Sequence, residues 1–354
     1  LGLAVPLVVA ISTTLGAQNG LLVRDRRGLE EARLLDIVVF DKTGTLTLGA
    51  HRVVETVPAD GLATDEVLRL AAAVERDSEH PIAQALLTSA EEKDIDIPQS
   101  IEFAAVAGRG VDAVVEGRRL TVGGPAMLTQ RELEVPHWAR DAATRAGQDG
   151  RAAIYLIEDT NLLAVFVIAD KLRPESANAV KKLHDLGIEV AMMTGDSEDV
   201  AKAVARELGI DTVLANVLPD QKAAKIGELQ AQGKRVAMVG DGVNDAPALV
   251  TADVGIAVGA GTDVAVEAGD VVLVRSDPRD IPRIIKLSRA TYSKMIQNLW
   301  WAAGYNIVAI PLAAGVLYWA GIVLAPAIGA ILMSASTIIV AINAQLLRRL
   351  DLSR

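Results

Sequence analysis

Six polar residues stand just beyond apolar runs in this chain, and their types suit phosphate chemistry. Asp41 follows "DIVVF" (36–40), Thr194 and Asp196 follow "EVAMM" (189–193), and Asp241, Asn244 and Asp245 follow "RVAMV" (235–239). Lys222, in "LPDQK", opens a helical pattern between them. Carboxylates that share a crevice repel and raise one another's pKa. A cation relieves the repulsion, and hard oxygen donors suit Mg²⁺, with a phosphate supplying further oxygens. Lys222 and Thr194 are of the type to hold that phosphate, and the glycines of "TGD" and "GDG" let the backbone come close to it.

Asp41 is then either a plain metal ligand or a nucleophile that attacks phosphorus and forms an aspartyl phosphate. A phosphatase of this plan typically has a second Asp two positions on, as general acid and base. Here that position is Thr43. Without the second acid, hydrolysis slows and the covalent phosphate persists, which suits a machine coupled to conformational change. A lone Asp after a strand is ordinarily a turn residue or helix cap. The conjunction of three such clusters with Lys222 favours a site.

The elements that must deliver these residues are legible. The apolar runs lack alternation and read as strands buried on both faces, as does "VGIAV" (254–258), which leads into "GAGTD". Helical patterns at 176–187, 198–209 and 220–233 separate them, each ending at a glycine suited to a helix terminus: Gly187, Gly209 and Gly233. Strand–helix alternation predicts a doubly wound parallel sheet with its chemistry at the carboxyl ends of the strands. Residues 49–168 interrupt this pattern. A helical stretch at 71–87 and strand-like stretches at 110–124 and 152–168 predict an inserted α+β domain, with hinges near 46–52 and 169–174.

The 354 residues bound about two or three domains. No Asp, Glu, Lys or Arg occurs from Leu1 to Val23 or from Met295 to Leu347. A spanning helix needs about 20 apolar residues, so the C-terminal stretch is expected to hold two, broken near Trp319–Pro326. Lys286, Arg289 and Lys294 on one side and Arg348, Arg349 and Arg354 on the other place both ends in the cytoplasm. The first stretch reads as the second half of a membrane helix, not a signal peptide, because its basic residues (Arg24, Arg26, Arg27) follow it. The chain is therefore expected to be part of a longer polytopic protein. A net charge of −10 argues against nucleic acid as a partner. Absence of cysteine excludes disulfides and thiolate metal sites within the chain.

"DKTGT", "MTGD", "LPDQK" and "GDGVNDAPAL" together resemble the P-type ATPases, and "SEHP" (78–81) with "GRG" (108–110) resembles the nucleotide domain of their heavy-metal branch. The resemblance implies an α/β haloacid-dehalogenase-like phosphorylation domain (24–48 and 169–285), an inserted α+β nucleotide-binding domain (49–168), half a transmembrane helix (1–23) and two more transmembrane helices (295–348). It implies Asp41 as the phosphorylated nucleophile, with Asp241 and the Thr43 backbone holding Mg²⁺ beside it. Thr194 and Lys222 would bind the phosphoryl group, and Asn244 and Asp245 complete the pocket. Glu75, His80, Gly108, Gly110 and Gly123 would contact ATP, with Asp196 also assigned to the nucleotide side.

In the membrane part, polar residues are functional candidates. They are Asn298, Tyr305 and Asn306 in "NLWWAAGYN", and Met333, Ser334, Ser336 and Thr337 in "MSAST". Bonding of Ser and Thr to their own helix is the plain alternative. "GYN" and "MSAST" resemble copper-transporting members, those with a Cys-Pro-His motif above all, and the Met333 thioether suits copper or silver. By the same resemblance, the Cys-Pro-x segment that would settle the metal is expected just before "LGLAVP". Tyr305, Asn306, Met333 and Ser336 are thus the expected ligands of a transported copper ion. The expected function is ATP-driven copper export. Silver, zinc or cadmium as cargo, a membrane-tethered phosphatase and a non-catalytic nucleotide-binding subunit are the alternatives. The resemblance further implies a multi-pass protein of the bacterial inner membrane, with the lipid bilayer, the metal ion and a metal-donor protein as partners.

Overall fold

A computed structural model describes residues 2–106, 109–241, 243–259, 267–321 and 325–352. Its thirteen described strands are β1 Leu21–Val23, β2 Ile37–Asp41, β3 Thr47–Pro58, β4 Ser100–Val106, β5 Gly110–Val115, β6 Arg118–Gly123, β7 Ala152–Glu158, β8 Asn161–Leu172, β9 Glu189–Met193, β10 Thr212–Leu214, β11 Val236–Gly240, β12 Val254–Val258 and β13 Val271–Leu273.

They form two sheets. The first runs β1-β13-β12-β11-β2-β9-β10, parallel throughout except for β1 at one edge. β2, β11 and β12 are buried along their whole length, as uninterrupted apolar runs require. Phe40, Val38, Val190, Met192, Ala237, Val239 and Ile256 share one core with Ala201, Val204 and Leu208 of the helix Glu198–Leu208. β2 lies between β9 and β11, so Asp41, its last residue, emerges at the middle of the sheet's carboxyl edge.

The second sheet, β3-β8-β7-β6-β5-β4, is antiparallel and belongs to the insert. The stretch at 71–87 is two helices, Thr64–Val74 and Pro81–Glu91, instead of the single one expected. Pro81 starts the second, and the His80 ring accepts from Ile82 N–H at 3.2 Å as its cap. The two stretches read as strand-like are the hairpins β5–β6 and β7–β8. The stretches 46–52 and 169–174, expected as hinges, fall at the inner ends of β3 and β8, which pair from Thr47↔Leu172 outward as a two-stranded ribbon joining the sheets.

The first apolar stretch differs from its expectation. It is helical only over Pro6–Gln18, and Leu21–Val23 joins the sheet as β1. At the other end, Asp280–Ala313 is one helix that begins in the sheet domain's core, through Ile281, Ile284, Ile285 and Leu287, and continues into the uncharged stretch. After a short 3₁₀ turn at Tyr318–Ala320, the helix Pro326–Gln345 returns. Two long apolar spans were expected. Among the described residues one segment, Ala327–Arg349, is long and apolar enough to cross a membrane. The uncharged part of Asp280–Ala313 carries Gln297, Asn298 and Asn306, and such amides lower its apolar character.

Candidate active site

Asp41, Asp241 and Asp245 meet at the carboxyl edge of the first sheet, with one oxygen from each lying within 4.8 Å of the others. Asp41 arrives from β2, Asp241 directly follows β11, and Asp245 ends the 3₁₀ turn Val243–Asp245. Lys222, the first residue of the helix Lys222–Ala231, donates from Nζ to Asp41 Oδ1 at 2.5 Å and to Asp245 Oδ1 at 2.6 Å. Asp41 is only 6 % exposed. Burial pushes its carboxyl up to about 7, the Asp245 charge adds to the rise, and Lys222 pulls against it. Burial also lifts Asp241, to about 6, with Asp245 again contributing. Burial acts to lower Lys222, but its two carboxylate partners outweigh that and hold it firmly protonated. Three carboxylates thus meet around one ammonium, which bonds two of them. The deficit of positive charge, with oxygen donors only, fits a divalent hard cation.

A second layer sits beside this one. Thr194 Oγ1 donates to Asp196 Oδ2 at 2.9 Å and accepts from the Asp196 N–H at 3.1 Å. Lys42 pairs with the same Asp196 carboxylate. Burial opposes ionisation of Asp196, but Lys42 and then Thr194 reverse this and hold its carboxyl below the usual range. Asp196, expected on the nucleotide side, is therefore the anchor of Thr194 and Lys42. Asn244 lies exposed at the rim.

The loop after Asp41 has one obligatory glycine. Gly44 has φ 76°, and a Cβ there would fall 1.7 Å from Asp241 Oδ2. Thr43, with φ −75° and ψ 130°, is extended and leaves its carbonyl free of helical pairing.

In the insert, Glu75 ends the helix Thr64–Val74, which packs on β5 and β6. It is 4 % exposed, and its Oε2 has no hydrogen-bond partner. Burial raises its carboxyl to about 7 against a bond from Ser78. A buried acceptor left open in this way fits an amine of a bound ligand. Burial, then the nearby His51, lowers His80. Gly110 and Gly123, thirteen positions apart, are directly opposed in the β5–β6 ladder. A Cβ on Gly110 would lie 2.2 Å from Val122 O, and one on Gly123 2.8 Å from Arg109 O. Gly108 lies outside the described residues.

The four residues expected to bind transported metal lie on the last two helices. Tyr305 and Ser336 line one groove between the last two helices, with Trp300, Trp301 and Leu332. The Tyr305 hydroxyl donates to Gly329 O at 3.0 Å, Asn306 donates to Ala302 O of its own helix at 2.8 Å, and Met333 is 61 % exposed. Ser334 and Thr337 bond their own helix, to Ala330 O and Met333 O. Asn298 is wholly buried and ties the last two helices to the turn before Pro6–Gln18. It donates to Ala4 O at 3.1 Å and accepts from Asn343 at 2.8 Å. Asn306, Ser334 and Thr337 thus satisfy themselves within their own helices, whereas Tyr305 and Asn298 bond between elements.

Sequence reasoning passed over Lys42 and Arg173. Lys42 stands inside the quoted "DKTGT", and its charge beside a polar crevice was the available signal.

Residues 35–253 match the haloacid dehalogenase-like hydrolase family. The chain is 54 % identical over 348 residues to copper-exporting P-type ATPase B of Archaeoglobus fulgidus, covering 98 % of this chain and 50 % of that protein. It is 45 % identical over 346 residues to a probable copper-transporting P-type ATPase B of Staphylococcus aureus, covering 97 % and 51 %. The chain thus spans about half the length of the curated relatives it matches. Its fold matches a zinc-transporting PIB-type ATPase in the E2.Pi state with TM-score 0.70 and 32 % identity, covering 97 % of this chain and 55 % of that one. It also matches the catalytic domain of the CPx-ATPase CopB-B, studied for conformational changes upon nucleotide binding, with TM-score 0.62 and 29 % identity, covering 76 % and 96 %. The chain belongs to the haloacid dehalogenase-like hydrolase family, and along nearly its whole length it is similar to heavy-metal-transporting P-type ATPases.

Proposed function

We propose that this chain is the catalytic half of an ATP-driven heavy-metal exporter of a membrane, with copper as its cargo, working through an aspartyl phosphate on Asp41. The observation that carries this reading is the setting of Asp41: buried, held by Lys222, beside Asp241 and Asp245, and followed at position 43 by a threonine instead of an acid.

An Asp41 carboxylate oxygen attacks the γ-phosphorus of ATP, the bond from that phosphorus to the bridging oxygen breaks, and ADP leaves. Lys222 and Thr194 hold the oxygens of the transferred group. Asp196 orients Thr194, and Asp245 fixes the Lys222 ammonium. Asn244 completes the rim. Asp41, Asp241 and the Thr43 carbonyl would hold Mg²⁺, which supplies countercharge for the phosphate oxygens. Glu75, His80, Gly110 and Gly123 would seat ATP, with Gly108 alongside by family resemblance. The open Glu75 oxygen and the tight Gly110–Gly123 crossing support this. Thr43 supplies no general base, so water does not discharge Asp41 quickly and the phosphorylated state lasts long enough to drive a membrane change.

The copper assignment draws on the relatives at 54 % and 45 % identity, both called copper ATPases. Tyr305 and Ser336, with Asn306 and Met333, remain the proposed cargo contacts. A multi-pass setting, soluble domains in the cytoplasm of a bacterial inner membrane, and delivery by a metal-donor protein follow from the same reading. In membranes holding the full-length protein, ATPase stimulation compared across Cu⁺, Cu²⁺, Ag⁺ and Zn²⁺ tests the cargo. Strongest stimulation by Zn²⁺ would move the chain to the zinc branch.

A further inference from the structure

The loop that follows Asp41 is gripped by a side chain with no role so far. Arg173 stands one residue beyond β8. Its Nε donates to Thr45 O at 3.1 Å, its Nη2 donates to Gly44 O at 2.9 Å, and its backbone N–H donates to Leu46 O at 3.0 Å. Ser176 Oγ also donates to Leu46 O, at 2.8 Å. Three consecutive carbonyls are thus bound from one short segment far away in sequence, by Arg173 and Ser176. The loop needs such donors. Thr43 and Gly44 both depart from helical geometry, so the local backbone does not satisfy these carbonyls. The grip also sets where Gly44 lies, and Gly44 is the residue against which the Asp241 carboxylate packs.

The place of Arg173 in the chain adds a second consequence. The ribbon of β3 and β8 joins the insert to the first sheet, and Thr47↔Leu172 is its innermost pair. Arg173 therefore stands where the ribbon leaves the insert and touches the loop Lys42–Leu46. Any change in the set of that ribbon displaces the guanidinium, and with it the carbonyls of Gly44 and Thr45.

We propose that Arg173 is a positioning residue that fixes the loop after Asp41 and carries the set of the hinge ribbon to the acidic pocket. This rests on the reading of Asp41 as the phosphorylated group. A guanidinium is suited to the task because its planar fork reaches two carbonyls at once, whereas a lysine ammonium is a single flexible point.

The test uses the whole chain in detergent, with Arg173→Ala, Arg173→Lys and Asp41→Asn. Phosphorylation from labelled ATP is followed across Mg²⁺ concentrations, binding of a non-hydrolysable ATP analogue is measured, and amide exchange is read over residues 42–47, β2 and β9. Arg173→Ala is expected to phosphorylate about tenfold or more slowly, since small misplacements of reacting groups cost this much. It should need more Mg²⁺ for half-saturation, bind the analogue like wild type, and exchange faster at 42–47 alone. Arg173→Lys should fall between. Wild-type rate and Mg²⁺ requirement, or unchanged exchange at 42–47, would overturn the inference while leaving the function intact. Faster exchange throughout β2 and β9, or lost analogue binding, would make Arg173 a folding residue and overturn it too. A wild-type chain that labels no better than Asp41→Asn would overturn the function and the inference together.

Discussion

Replacing Glu75 by Gln should make the insert more stable and a poorer nucleotide binder, and the stability gain should depend on pH. The Glu75 carboxyl is buried, one of its oxygens has no partner, and its pKa rises from 4.5 to about 7. The unfolded chain releases this proton near 4.5, while the folded chain keeps it until about 7. Between those values the unfolded state binds fewer protons, so stability falls as pH rises and levels off above about 7. A gap of about 2.5 pH units corresponds to roughly 3 kcal/mol. Gln carries no charge but leaves a buried amide incompletely bonded, which costs about 1 kcal/mol. Glu75→Gln should therefore be about 2 kcal/mol more stable than wild type at pH 8, or roughly 5–10 °C in the melting temperature of a domain this size. At pH 5 the gain should vanish. Scanning calorimetry at the two pH values, with and without a non-hydrolysable ATP analogue, reads both effects. The analogue should raise the wild-type transition more than the variant's. A variant no more stable than wild type at pH 8 would refute the burial argument. Equal stabilisation by the analogue would refute the assignment of the open oxygen to the ligand.

Lys222→Met should leave Asp41 and Asp245 buried without their cation, lowering stability by about 3–5 kcal/mol in urea unfolding and abolishing phosphorylation. Gly44→Ala should cost about 1–3 kcal/mol in the same assay through its left-handed φ of 76° and the collision with Asp241, and should slow phosphorylation more than it weakens nucleotide binding. Asn298→Leu should lower the melting temperature in detergent, because Ala4 O and Asn343 lose their buried partner at about 1–3 kcal/mol; ATP-analogue affinity should not change.

The parallel sheet was legible because strands buried on both faces leave an unbroken apolar record. "DIVVF", "EVAMM", "RVAMV" and "VGIAV" all became strands, and the carboxyl ends of the first and third gathered Asp41, Asp241 and Asp245, while the "GAGTD" acid lies outside the described residues. The seam between elements was harder to see. Residues 71–87 have helical spacing on both sides of a break that only the Pro81 start and the His80 cap reveal. β1 is three residues long and gains its identity from pairing with β13, some 250 positions away. Gly123 stands thirteen positions after Gly110 in sequence, yet antiparallel register sets the two directly opposite each other. Arg173 was invisible for the same reason: its partners are carbonyls of a distant loop, and carbonyls carry no residue type to read. The transported-metal residues were chosen by type and resemblance, and type does not determine which way a side chain turns. Asn306 turns to its own helix, while Asn298, read there only as a candidate, holds the helices together.

The central claim is that Asp41 carries the phosphoryl group. Borohydride reduces an aspartyl phosphate to homoserine, so treatment of the ATP- and Mg²⁺-incubated chain followed by peptide mass spectrometry reads the site directly. The account predicts homoserine at position 41, formed only with ATP and removed by prior hydroxylamine. Homoserine at another position, or an unmodified Asp41 while label remains on the protein, would contradict it.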